Sequence, residues 1–265
     1  MPPDARKNED SDASAALLKR GDPDRYLATL AAPVALRPKL FVLYAFNLEV
    51  ARAPWVTQEA LIAEMRLQWW RDVVANAASG AARAHEVAGP LHDLIRDVPL
   101  PLDVLDRMIF ARRWDVYREG FADTTALAAY LDDTAAGLMW LAARVAGAAC
   151  GAEATVRAYG RAAGMASFLR ALPELTARGR KPLPDAAPQA VAALARLGLA
   201  WLDIARRGRA DVPAHVRPAL LAGWTALPIL RQAAIAPERV LDGSLGLSEF
   251  SRRGRLLWQA ATGRW

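Results

Sequence analysis

The segment Arg37-Pro38-Lys39-Leu40-Phe41-Val42-Leu43-Tyr44-Ala45-Phe46-Asn47-Leu48-Glu49-Val50-Ala51-Arg52 constrains this chain more than any other. A proline beside its first residue suits an opening helical turn, where the missing N–H removes no bond. Pro54 lies just beyond its end. Between the prolines, Phe41, Leu43, Tyr44, Phe46, Leu48 and Val50 nearly surround a helix of period 3.6. A helix that is apolar on almost every side must be covered on almost every side. The chain therefore has to supply several more helices around this one.

Composition supplies them. Hydrophobic residues make up 54% of the 265 positions, with Ala and Leu dominant, and both lose little on entering a helix. Asp22-Pro23-Asp24 reads as the cap and first turn of a helix that stops near Ala32-Pro33. A helix over 57–76, opened by Thr57, carries Leu61, Met65, Trp69 and Val73 at four-residue spacing, the expected inward stripe. Of the pair Trp69-Trp70, one ring is expected to point inward and the other to a flank. Further helices are expected over 85–97, 102–117, 124–132, 133–150, 152–172, 188–206, 214–233 and 249–261. Asp132-Asp133-Thr134 reads as the N-terminal cap of the apolar 133–150 helix. No strand-like alternation lasts more than a few residues. Residues 1–14, charged and aperiodic, read as a disordered tail. The expectation is an all-α fold, with 15–265 forming one domain of about ten helices.

Several function classes drop out at this level. The net charge of +6 is carried mainly by arginine, but no run of five like charges and no nucleic-acid motif occurs, so nucleic acid is not an expected partner. Cys150 is the single cysteine, which excludes an intramolecular disulfide or a cysteine metal cluster. The start of the chain has no apolar secretory core. The longest apolar stretch, 134–152, is interrupted by Arg144 and falls short of the ~20 residues a membrane span needs. A cytoplasmic location is the corresponding expectation. His85, His92 and His215 lack zinc-ligand spacing. Asp93 and Asp97 share a helix face but offer too few oxygens for a hard cation. Arg178, Arg180 and Lys181, following Arg170, either grip a diphosphate through charge-assisted hydrogen bonds or form a solvated surface loop.

In chain order, Asp24-Arg25-Tyr26, Leu43-Tyr44-Ala45-Phe46, Gln68-Trp69-Trp70-Arg71-Asp72 and Gly179-Arg180-Lys181-Pro182-Leu183-Pro184 resemble the squalene/phytoene synthase family. The resemblance spans nearly the whole chain from Asp24 onward and implies the isoprenoid synthase helical bundle. It also implies, for active members, two aspartate-rich motifs that hold Mg²⁺ and the diphosphates of two prenyl substrates. That chemistry needs hard oxygen ligands to neutralise a leaving diphosphate. Here the first motif's positions are Ala51, Arg52 and Trp55, leaving Glu49 as the helix's only carboxylate. In the second, Arg170 fits the family's arginine, Ala171 replaces the following aspartate, and Ser167 stands where asparagine is usual.

These departures resemble a degenerate branch of the family that includes the mitochondrial assembly factor of respiratory complex I. The resemblance implies a pseudoenzyme with no catalytic residues, metal or cofactor, acting in biogenesis of NADH:quinone oxidoreductase. Its implied partners are complex I subunits or assembly intermediates, with peripheral contact at the inner membrane. Two alternatives stand beside it. One is a Mg²⁺-dependent prenyltransferase in which Asp72, Glu49 or Asp133 supplies ligands. The other is an isoprenoid or lipid binder whose cavity and diphosphate-gripping residues are Tyr44, Phe46, Arg170, Arg178 and Arg180. An open central cavity favours a ligand, whereas filling by Trp55, Phe46 and Phe168 argues against one.

Overall fold

The computed structural model describes residues 3–77, 80–117 and 119–265, with side chains described from Ser11 onward. Among these the regular structure is helical, without strands. The first helix, α1 (Pro3–Gly21), runs through most of the stretch expected to be a disordered tail. Among its described side chains, those of Ser14, Leu17 and Leu18 are buried. α2 (Pro23–Leu30) starts as its sequence dictates, with the Asp22 carboxylate accepting the Arg25 backbone N–H at 3.0 Å. α3 (Arg37–Arg52) is the central helix, buried continuously from Leu40 to Asn47 and again at Val50. Fully burying a side chain of that kind contributes about 1.5–3 kcal/mol.

The next helix, α4 (Ala60–Asn76), turns a different face inward from the one expected. Ala63, Leu67, Trp70, Val73 and Val74 are buried, while Leu61 and Met65 are 71% and 63% exposed. Steps of four residues drift by about 40° each around a 3.6-residue helix, so the Leu61-to-Val73 stripe spirals off the core. Its start also lies later than Thr57, whose hydroxyl instead accepts the Glu59 N–H at 3.1 Å. Trp70 points inward, edge-on to Phe46 at 5.4 Å, and Trp69 lies on the flank beneath Arg83.

α5 (Ala88–Asp97) begins after His85, whose Nδ1 accepts the Val87 and Ala88 N–H groups at 3.1 and 3.3 Å. α6 (Leu102–Ala111) tightens into a 3₁₀ turn, Arg112–Asp115, instead of continuing to 117, because Arg112 and Asp115 turn inward as a pair. α7 (Thr124–Leu131) and α8 (Gly137–Val145) are joined by a π-helical turn, Asp132–Ala136, rather than by the capped break expected there. Asp132 ends α7 rather than capping the start of the next helix, and its carboxylate accepts from Arg157 at 3.3 Å.

The long α9 (Glu153–Ala177) crosses that turn at backbone distance. A Cβ on Gly160 would stand 2.6 Å from the Ala136 Cα, and one on Gly164 2.5 Å from the Ala135 Cβ. α9 also runs through Pro173 instead of ending before it. The cost of a helical proline, about 3 kcal/mol, is offset by the burial of Leu169 and Leu172. α9 packs against α10 (Pro188–Arg207) and α12 (Ala226–Ile235), with α11 (Arg217–Leu220) between them in sequence. The single helix expected over 214–233 is broken at 221–223, where Gly223 meets the Tyr159 ring too closely for any Cβ. The chain continues through α13 (Glu238–Leu241) and α14 (Glu249–Thr262). α14 covers a small second cluster of Ala28, Leu221, Trp224 and Leu256. No described helix is long and apolar enough to cross a membrane.

Candidate functional site

α3 and α9 face one another across a cavity of about 570 Å³. α3 contributes Asn47 and Ala51, and the 3₁₀ turn after it contributes Trp55. α9 contributes Ser167, Phe168, Arg170 and Ala171. The remaining wall comes from the start of α2, the Arg112–Asp115 turn, Tyr130, Leu131, Thr134, Ala135 and Leu138 around the π-helical turn, Ala222 and Thr225, and Arg252 of α14. A second opening of about 800 Å³ shares Trp55 and Ala171 and adds Arg52, Glu174 and Arg178. The cavity is therefore open, with Trp55 and Phe168 in its wall rather than filling it.

Every carboxylate in this wall is committed to a cation. Asp24 accepts from Arg170 at 3.0 Å and also from Arg252, joining α2, α9 and α14. Asp22 pairs with Arg25. Asp115, 5% exposed, accepts from Arg112 at 3.3 Å and from the Tyr130 hydroxyl at 2.9 Å, and Arg112 reaches the same hydroxyl at 2.7 Å. Burial pushes the Tyr130 hydroxyl well above its ordinary range, so it stays a donor to Asp115. Mg²⁺ needs near-octahedral oxygen ligation. The facing positions Asn47, Ala51 and Trp55 against Ser167, Arg170 and Ala171 do not provide it. This donor set does not fit the metal. Among the described residues, no three His, Cys, Asp or Glu side chains gather where an ion could be held.

The three carboxylates that an altered metal site would require are scattered. Glu49 pairs with Arg52 at 3.4 Å, Asp72 accepts from Gln68 at 2.9 Å, and Asp133 faces Arg107 at 3.7 Å. None of the three lines the cavity.

The residues singled out in the sequence occupy different places. Arg170 lines the cavity, already paired with Asp24. Arg178 lines the second opening, bonded to Glu174 and placed 4.9 Å from the Trp55 ring centroid. Arg180 is built into the wall: 6% exposed, it donates to the Asp115 and Trp114 carbonyls and stacks 4.6 Å from Trp55. Tyr44 is buried under Arg25, its hydroxyl pushed up by burial, and borders only a narrow recess beside the cavity. Phe46 points away from the cavity, toward α4. Three features escaped sequence reading: Asp24 as a bridge, Trp55 as a platform between two arginines, and the Asp115–Arg112–Tyr130 network. The only local signal was an acid flanked by arginines in Arg112-Arg113-Trp114-Asp115.

The squalene/phytoene synthase family model matches residues 18–187, more than half of the chain. Over 169 residues the chain is 29% identical to the Bos taurus NADH dehydrogenase (ubiquinone) complex I assembly factor 6. That match takes in 63% of this chain and 51% of the relative, so the chain spans about half the length of the curated relatives it matches. Among solved structures, a dehydrosqualene synthase superposes with a TM-score of 0.82 at 15% identity, covering 98% of both chains. The squalene synthase HpnC from Alicyclobacillus acidocaldarius superposes with a TM-score of 0.76 at 19% identity, over 88% of this chain and 95% of that one. With the all-helical bundle, the paired α3 and α9 walls and the family match in agreement, the chain belongs to the squalene/phytoene synthase family.

Proposed function

We propose that this protein is a catalytically degenerate synthase that serves as an assembly factor for respiratory complex I, at the inner face of the membrane that holds the complex. One observation carries the reading: the facing walls hold Ala51, Trp55 and Ala171 where diphosphate ionisation requires metal-binding carboxylates. The nearby acids Asp22, Asp24 and Asp115 are neutralised by arginine. The similarity to complex I assembly factors supports the biological role. On this reading the chain needs no Mg²⁺, and its partners are complex I subunits or assembly intermediates. Deleting the gene in its host should lower the amount of assembled complex I on native gels, with recovery on re-expression. A normal level of complex I in a clean deletion overturns the assignment.

The open cavity favours a second reading, in which the fold retains an isoprenoid or lipid ligand without converting it. A ligand that binds only the native state raises the melting temperature. Farnesyl or geranylgeranyl diphosphate should then raise it, and a flat response across millimolar ligand removes this reading.

A further inference from the structure

A further cavity, remote from the one between α3 and α9, opens between the end of α10, α11 and α14, with a volume of about 590 Å³. All its charged lining side chains are arginines: Arg206, Arg209, Arg217, Arg255 and Arg264. Three are anchored through one nitrogen to neutral carbonyls, which fixes them without cancelling their charge. Arg209 donates to Gly263 at 2.7 Å, Arg217 to Val212 at 3.3 Å and Arg255 to Trp224 at 2.8 Å. Only Arg206 has a carboxylate nearby, the exposed Asp203 at 3.5 Å. Among the described residues, the other four have none within ion-pair distance. Their mutual repulsion adds to burial in lowering the affinity of Arg209 for its proton, through Arg217 and Arg264. Such a cluster leaves a concentrated positive potential for an anion to satisfy.

Unused polar groups line the same space. Trp265 is 8% exposed and its indole N–H has no hydrogen-bond partner. Gln259, 3% exposed, has an unpartnered side-chain oxygen, and its amide is another potential donor. Of these, only the N–H groups can serve a phosphate, whose oxygens accept.

The helix beside this cavity carries large apolar residues outward as well as inward. α14 turns Arg255, Leu256 and Gln259 toward the protein, while Phe250, Leu257 and Trp258 are 89%, 69% and 50% exposed. Positions 250, 254, 257, 258 and 261 share one outward face, apolar throughout. Surface helices bury the apolar face. Trp258 belongs to both features, since it lines the cavity and is exposed on the outward face, with Arg264 at 5.6 Å from its ring. A basic cavity opening onto an apolar helix face with a tryptophan at the junction matches the interfacial zone of a bilayer, where apolar residues enter the acyl boundary and cations meet phosphates. The charge complementarity selects an anionic membrane over a second, equally basic copy of this chain.

We infer that this cavity takes the phosphate of an anionic phospholipid headgroup while the outward face of α14 lies in the surrounding membrane interface. The inference is independent of the complex I reading. Flotation of the purified full chain with vesicles tests it. The protein should float with phosphatidylcholine vesicles containing phosphatidylglycerol and stay behind with phosphatidylcholine alone. Arg209→Gln with Arg264→Gln should weaken binding roughly thirtyfold, and Phe250→Ser with Leu257→Ser should weaken it while the melting temperature holds. Arg66→Gln with Arg96→Gln removes the same charge from α4 and α5 and should leave most of the binding. Absence of flotation, equal flotation on neutral vesicles, or equal loss in the α4/α5 control overturns the inference. So does stabilisation by inorganic phosphate or glycerol phosphate without flotation, which would assign the cavity to a soluble phosphate. A dimer that Leu257→Ser dissociates, without flotation, would assign the face to self-association.

Discussion

Asp24 receives two arginines from helices far away in sequence, Arg170 from α9 and Arg252 from α14. Removing one donor leaves the other in place, and the Arg170 pair is partly exposed, at 42% and 20%. Arg170→Ala should therefore cost under about 1 kcal/mol in chemical denaturation, as partly exposed ion pairs do. Tyr130→Phe is a different case. It deletes the hydroxyl that donates to buried Asp115 and accepts from Arg112, and should cost about 1–3 kcal/mol. Denaturation midpoints of the two variants measured side by side check the contrast. Neither network was legible in the sequence. The partners of Asp24 lie 146 and 228 positions away, and the identity of a charged residue says nothing about which opposite charge the fold brings to it. What could be read was the absence of carboxylates at Ala51, Trp55 and Ala171, because side-chain chemistry is fixed whatever the fold does with it.

At the scale of elements, α3 was legible because an all-round apolar helix admits one placement. α4 was not, since a four-residue stripe and the mixed three- and four-residue face actually buried share Val73 and differ elsewhere. Leu61→Gln and Met65→Gln should accordingly leave stability within about 0.5 kcal/mol, the ordinary range for surface changes, whereas Leu67→Gln should not. The crossing of α9 over the π-helical turn makes a sharper demand. Gly160→Ala or Gly164→Ala introduces a methyl into space held by Ala136 or Ala135, and each should cost about 1–3 kcal/mol from overpacking. A shift in melting temperature of less than a degree would mean that the helices separate easily. Sequence could not anticipate that contact, because a glycine inside a helix does not declare what approaches it.

The same turn carries a pH signature. Burial raises the Asp133 carboxyl above the usual carboxylate range, with Asp132 reinforcing and Arg107 opposing the shift. A carboxyl whose folded value exceeds its unfolded one favours the fold while protonated. That contribution, complete below the unfolded value, is lost as pH rises through the folded one. Asp133→Asn removes the dependence, so its stability relative to the parent should improve from acid to neutral pH. Thermal melts at the two conditions decide it, and a constant difference would contradict the assignment.

For the whole molecule, the helical bundle and its family were legible because the aromatic and proline signatures lie in long, ordered segments. The openness of the cavity was not. It depends on Phe46 turning toward α4 and on Trp55 lying flat between Arg178 and Arg180, choices made by packing between distant helices. The α14 cavity was equally hidden, since its arginines come from α10, the turn after it, α11, α14 and the segment beyond α14. On the proposed reading, the synthase architecture persists here without the synthase chemistry. Pyrophosphate release from farnesyl or geranylgeranyl diphosphate tests it most directly, using the purified full chain with and without Mg²⁺. Release no faster than in a protein-free blank is the expected result under either condition. Mg²⁺-dependent release with formation of a condensed prenyl product would contradict it.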